Sequence, residues 1–518
     1  MNGAEALLQT LSDCGVDVCF ANPGTSEMQL VAALDKQPNV RAILGLFEGV
    51  VTGAADGYGR MADKPAATLL HLGPGLGNGL SNLHNAKRAR TPLVNIVGDH
   101  AVDHLQYDAP LTSDVAAVAR PMSDWVRTST SPDDLAVAGE EAVQAALVYP
   151  GQIATLIAPA DHAWTDGAHP TPPNKRPKGP EVSARNVADA VAALGADGSA
   201  ALFLGGRALR EDALHQAGRI AAATGARLIS ETFSARLQRG AGRVTVERLP
   251  YFGERASEFL VGLTRIVFVG AEPPVSFFAY PGKPSWLSPE GAELIELAGP
   301  RDDAVGALRR LADALDAPAD PDDLQAPVVP PVADGKLDAQ SLGGVLASLM
   351  PENAIVSDEA ATAGLAIFPM TQGAAKHDWL MLTGGSIGQG LPLAAGAAVA
   401  CPERKVIALQ ADGSAMYTVQ ALWTMARENL DVTTVIINNG SYAILNIELA
   451  RVGVTHPGPK ALSLLDLTRP AIDWVSISEG LGVPAVRADT VEGFRTALAE
   501  ALSTRGPRLV EAVVPAGV

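Results

Sequence analysis

Two polar clusters, each at the end of an apolar run, carry the residue types and spacing that could do chemistry. In the segment Ala411 to Tyr442, KVIALQ runs into Asp412-Gly413-Ser414, and TTVIINN runs into Asn439-Gly440-Ser441. With a helix between them, the two runs form a βαβ unit whose strand ends share one sheet edge, where ligands of open α/β sheets bind. Asp412 and Asn439 can then converge on one hard cation; their oxygens suit Mg²⁺, which keeps positions open for phosphate oxygens. Gly413 and Ser414 open the helix N-terminus, a seat for a diphosphate. Asp-Gly and Asn-Asn-Gly are each common in turns. The 24 residues from Ser414 to Ile437, a helix between two apolar strands, make the pair specific.

The second cluster lies near the N-terminus, in CFANPGTSEMQL and LGLFEGVVTGAADGYGRM. Glu48 stands between an aliphatic strand and a small-residue helix (Val50 to Gly59), where burial would desolvate its carboxyl. Taken alone, a Glu at a helix start is commonly a solvated cap. Further on, GPGLGNG imitates a dinucleotide fingerprint but fails on register: counted from Gly73 the last Gly falls on Asn78, and from Gly75 on Leu80. His71 precedes this Gly-rich turn at the end of ATLLHL, where an imidazole can equally serve as a local hydrogen-bond partner. MLTGGSIGQGLP supplies Gly384 and Gly385 for close backbone approach, then Ile387.

The Asp412 to Asn439 pattern resembles the signature of the thiamine diphosphate (ThDP)-dependent enzymes of the acetolactate synthase, pyruvate oxidase and benzoylformate decarboxylase superfamily: Gly-Asp-Gly, a spacer in the mid-twenties, then Asn-Asn. Ala411 replaces the first Gly. The resemblance spans the chain and implies Mg²⁺ held by Asp412, the Asn439 side chain and the Ser441 carbonyl. It implies diphosphate contacts at Gly413, Ser414 and Thr362, a Gly385 carbonyl that accepts from the aminopyrimidine, and Ile387 as the wedge that bends the cofactor. Glu48 would hydrogen-bond the aminopyrimidine and drive the tautomerism that makes the ylide. His71 would handle protons in later steps, and Thr25, after Asn22-Pro23-Gly24, would bind the substrate carboxylate. A second catalytic His, expected in the middle domain, is replaced by Phe277, Phe278 and Tyr280 in EPPVSFFAYPGKPSW.

The resemblance implies loss of CO₂ from a 2-oxo acid to give an enamine, captured by a proton or by a second carbonyl. Acetolactate synthases carry Gln directly after the Glu, where Gly49 stands, and Lys, Arg and Trp landmarks where SYAILNIELARVGV follows Asn-Asn-Gly. The expectation is therefore a non-oxidative 2-oxo acid decarboxylase with carboligase ability; acetolactate synthase and a non-catalytic cofactor-binding paralogue are the alternatives. Phe277, Phe278, Ile444 and Leu445 suggest an apolar pocket. The resemblance also implies at least a homodimer, commonly a homotetramer, with the cofactor between the first domain of one chain and the third of another. GGRALRED (Gly205 to Asp212) leaves FAD undecided.

These groups need sheets to hold them. Two Pro-rich stretches, 165–183 and 316–335, divide the 518 residues into segments 1–165, 184–316 and 336–518. Each alternates short apolar runs with amphipathic stretches, so the fold class is α/β: three consecutive domains of parallel sheet flanked by helices. A net charge of −18 argues against nucleic acid and anionic lipid as partners. Three Cys without ligand spacing point to a reducing cytoplasm. The acidic N-terminus lacks a signal peptide's basic region, and the uncharged run before Glu403 is too rich in Gly and Ala for a membrane span.

Overall fold

Runs of Val, Ile, Leu and Ala form parallel strands buried on both faces, and the amphipathic stretches between them form the covering helices. The computed structural model describes residues 1–516. The first segment supplies β1 (Val18–Asn22), β2 (Arg41–Leu44), β3 (Ala66–Leu70), β4 (Leu93–Asp99), β5 (Trp125–Thr128) and β6 (Ile153–Pro159), all parallel, in the order 2-1-3-4-6-5. The middle segment supplies β7 (Ala200–Leu204), β8 (Arg227–Ser230), β9 (Leu237–Arg239), β10 (Glu247–Arg248), β11 (Arg265–Val269) and β12 (Glu293–Ala298). Five of these form a parallel sheet ordered 10-8-7-11-12. β9 leaves it to pair antiparallel with the third sheet.

That third sheet contains β13 (Ala354–Glu359), β14 (His377–Met381), β15 (Val406–Ala411), β16 (Val432–Asn438), β17 (Ala485–Ala488) and β18 (Arg508–Val513), ordered 17-18-16-15-13-14-9. Counted within its own segment from the β14 edge, its six parallel strands read 2-1-3-4-6-5, the order of the first sheet. Both sheets therefore reverse strand direction of growth between their first and third strands, and ligand crevices open at the carboxyl ends of such switch points.

The helix after the second strand of each of these sheets packs against its counterpart. Glu48–Ala62 meets Gly390–Ala400, and the contact demands glycine: a Cβ at Gly57 would lie 2.0 Å from the Leu393 carbonyl oxygen, and one at Gly396 would lie 1.8 Å from that of Ala54. A buried ion pair seals the contact. Arg60 meets Asp56 at 2.7 Å and donates to the Met381 carbonyl (2.8 Å), while Gln389 donates to Asp56 (2.7 Å). Both charges are paired and bonded, as burial requires.

One local expectation is corrected. GPGLGNG is not a turn: it forms the opening turns of the Leu72–Ala89 helix. Its glycines serve close packing, since a Cβ at Gly73 would lie 2.1 Å from the Ser113 hydroxyl and one at Gly79 2.8 Å from Thr52. No helix among the described residues is long and apolar enough to cross a membrane.

Candidate active site

At the carboxyl edge of the first sheet, the turn after β1 and the residue after β3 come together. The β1–β3 pairing sets Asn22 beside Leu70, so Gly24 and His71 follow at neighbouring strand ends. A Cβ on Gly24 would lie 2.3 Å from His71 Nδ1. Glu27, completely buried, has Oε2 at 2.8 Å from that same nitrogen, and the Gly24 N–H donates to Oε2 at 2.7 Å. Burial pushes the Glu27 carboxyl up, against the opposing pull of the Gly24 N–H and of His71. Nε2 of His71 has no hydrogen-bond partner among the described residues.

Glu48 begins the Glu48–Ala62 helix and is buried, with Asn78 Nδ2 donating to its Oε2 at 3.0 Å. Gly75 separates it from His71: a Cβ there would lie 3.0 Å from Glu48 Oε1 and 3.3 Å from His71 Cβ. Glu48 and His71 thus flank one glycine. Thr25 opens the short helix Thr25–Glu27 and is exposed, with no side-chain hydrogen bond among the described residues. A side chain at Gly49 would meet the Phe47 ring, 2.4 Å from the Cβ position.

At the edge of the third sheet, Asp412 is 2% exposed. Its carboxylate accepts from the Gly413 N–H (2.9 Å) and the Gly440 N–H (2.8 Å), and burial raises its pKa. Asn439 Oδ1 accepts from the Ser441 N–H at 3.0 Å. The Asp412 carboxylate, the Asn439 amide and the Ser441 backbone therefore meet at one turn. This all-oxygen donor set, with a buried carboxylate whose partners are neutral amides, fits Mg²⁺.

The Tyr442 ring lies over Gly413, 2.4 Å from its Cβ position, and the Ser414 hydroxyl donates to the Ala411 carbonyl at 3.0 Å. The helix expected after Asp412 is broken into Asp412–Ala415, Met416–Thr418 and Ala421–Arg427, with Thr418 donating to the Gly388 carbonyl (2.8 Å).

The Gly384–Gly390 loop adjoins this edge. Gly385 has φ +71°, and a Cβ there would strike the Phe277 ring at 2.3 Å. Phe277 stacks with Phe233 (5.5 Å between centroids), Tyr251 (5.8 Å) and Phe278 (4.9 Å). Ile444, half-buried, and Leu445, exposed, lie on the Ala443–Arg451 helix, which Arg451 ties to Glu254. Ile387 and Thr362 are half-buried. Glu359, which the sequence reading passed over, is 3% exposed and accepts from the Gly388 and Gly390 N–H groups, both at 2.6 Å. Burial pushes it up to about 7. Glu27 was also passed over; its one local signal is its place three residues after Gly24, the spacing of a helix-start carboxylate.

Two sheets share one strand order, and one edge gathers carboxyls and an imidazole while the other gathers the oxygens of Asp412, Asn439 and Ser441, an arrangement that fits a thiamine diphosphate enzyme. Residues 1–118 match the model described as "Thiamine pyrophosphate enzyme, N-terminal TPP binding domain", and residues 365–512 match its C-terminal TPP binding domain, so the chain belongs to that family. It is 54% identical, over 99% of both chains, to a Mycobacterium tuberculosis protein named "Putative acetolactate synthase large subunit IlvX". It is 30% identical, over 96% of each, to benzoylformate decarboxylase of Pseudomonas aeruginosa. The thiamine diphosphate-dependent 4-hydroxybenzoylformate decarboxylase of Rhodococcus jostii RHA1 superposes with a TM-score of 0.88 at 25% identity, covering 99% of each chain.

Proposed function

We propose that this enzyme is a non-oxidative decarboxylase of a 2-oxo acid with an apolar side chain, able also to join the remaining fragment to a second carbonyl. The observation that carries this reading is the pairing of His71 with Glu48 across Gly75, which sets a titratable imidazole with a free Nε2 beside the proposed cofactor-activating carboxyl.

Asp412, Asn439 and Ser441 would hold Mg²⁺, with Gly413, Ser414 and Thr362 about the diphosphate and Gly385 and Ile387 beneath the bend. Bound ThDP supplies the electron sink for the pair left when CO₂ departs. Glu48, 8% exposed, would hydrogen-bond the aminopyrimidine. Nε2 of His71 moves the proton at the carbon that has lost CO₂. The exposed Thr25 hydroxyl binds the substrate carboxylate, and Phe277 with its aromatic neighbours covers the apolar side chain.

In this reading the first domain of one chain and the third of another enclose the cofactor, so the active unit is at least a homodimer, with a homotetramer in keeping with the resemblance, working in the cytoplasm.

Acetolactate synthase is the second reading, favoured by the name of the 54% identical relative; the Phe47 ring over Gly49, where those enzymes carry Gln, weighs against it. Products formed with ThDP and Mg²⁺ from benzoylformate or pyruvate, followed by NMR, test the proposal. Benzaldehyde with CO₂ is expected. Acetolactate from pyruvate with no aldehyde overturns it, and turnover of neither across a panel of 2-oxo acids would make the chain a cofactor-binding paralogue.

A further inference from the structure

A completely buried carboxylate with one oxygen left without a partner is costly, and Glu27 is such a group: its Oε1 is buried and makes no hydrogen bond. Three glycines keep the room that Glu27 and its imidazole partner occupy. A Cβ at Gly98, on β4, would lie 1.7 Å from Glu27 Oε1; one at Gly24 would lie 2.3 Å from His71 Nδ1; and Gly75 spaces the imidazole from Glu48. The backbone adds its own constraint. Leu72, next to His71 and fully buried, has φ +49°, a conformation a bulky side chain seldom adopts, and the helix starts from it. Glycine packing and backbone strain thus converge on one result, the orientation of a single imidazole.

We propose that Glu27 is the positioning residue for His71: its Oε2 accepts the Nδ1 proton, fixes the tautomer, and leaves the Nε2 lone pair directed away from Glu27 for proton transfer. This rests on the reading of His71 as a proton carrier. Few other titratable groups adjoin the pair. Glu48 stands across Gly75, and Asp99, which follows Gly98, is occupied by the His100 N–H at 2.8 Å. With the carboxylate gone, the imidazole can take either tautomer, and the cation formed in each cycle loses its counter-charge. Serine-hydrolase triads use an acid in the same relation to histidine, on unrelated folds.

The holoenzyme with ThDP and Mg²⁺ tests this through four chains: wild type, Glu27→Gln, His71→Ala and the double variant, with Glu27→Asp as the conservative control. Benzoylformate turnover is read alongside acylation of His71 by diethylpyrocarbonate, followed by peptide mass against pH, which needs no turnover. Glu27→Gln should lower kcat about 10- to 100-fold with KM nearly unchanged, and should move the His71 acylation profile to lower pH. Glu27→Asp should recover part of kcat, and the double variant should be no slower than His71→Ala alone.

If His71→Ala is impaired while Glu27→Gln keeps the wild-type kcat and acylation profile, the positioning role is wrong and the reading of His71 stands. If His71→Ala turns over at the wild-type rate, both fall. Should Glu27→Gln fail to fold, Gly98→Ala, which crowds Oε1, replaces it: an acylation profile identical to wild type overturns the proposal, and a displaced one supports it.

Discussion

The first and third sheets share one strand order and one pair of packed helices, yet their carboxyl edges hold different chemistry. At the first edge, Glu27, Glu48 and His71 bring two carboxyls and an imidazole together. At the third, Asp412, Asn439 and Ser441 are oxygen donors gathered on a turn. The shared scaffold fixes where a ligand can lie, at the switch point, and says nothing of the reaction. What distinguishes the edges is the handful of side chains just past each strand end. In the reading proposed here, the third edge grips the cofactor and the first makes it react.

If the two sheets work as a pair, breaking their contact should cost most. Gly396→Val would drive a side chain into the Ala54 carbonyl, 1.8 Å from the Cβ position. Overpacking at a site this tight is expected to destabilise by about 3 kcal/mol, read as a lowered Tm; Gly15→Ala, in open space but at φ +88°, gives the scale for a strained glycine outside the contact.

Glu359 offers a smaller, pH-selective effect on the third edge alone. Its folded pKa of about 7 lies above that of the unfolded chain, so its contribution to stability is full below the unfolded value and is lost as pH rises through the folded one. From about pH 5 to pH 7 this group should lower stability by on the order of 1 kcal/mol per pH unit. Urea melts across that window should show the slope in wild type and a flatter profile in Glu359→Gln. An unchanged slope would mean that the buried carboxyl does not titrate there.

Much of the third edge was legible because its partners are local: Asp412 and Asn439 end consecutive strands of one βαβ unit, so spacing alone brings them together. Glu48 was singled out only through the family resemblance, because a Glu at a helix start is by itself commonly a solvated cap. Glu27 was not legible, because its contact with His71 spans 44 residues and depends on β1 lying beside β3. The shared strand order was hidden for the same reason, since parallel strands bounded by Gly and Asp look alike whatever their order in the sheet. GPGLGNG misled because glycine serves helix packing as well as turns. Phe277 over Gly385 joins the middle segment to the third sheet, a contact that no local pattern encodes.

The division of labour is tested most directly by titrating ThDP, at saturating Mg²⁺, into Glu48→Ala and Asp412→Ala while following deuterium exchange at C2 of the bound cofactor. Glu48→Ala should bind within about tenfold of wild type and slow the exchange by about 10²- to 10⁴-fold, whereas Asp412→Ala should lose most of its affinity. Wild-type exchange in Glu48→Ala, or wild-type affinity in Asp412→Ala, would contradict the account.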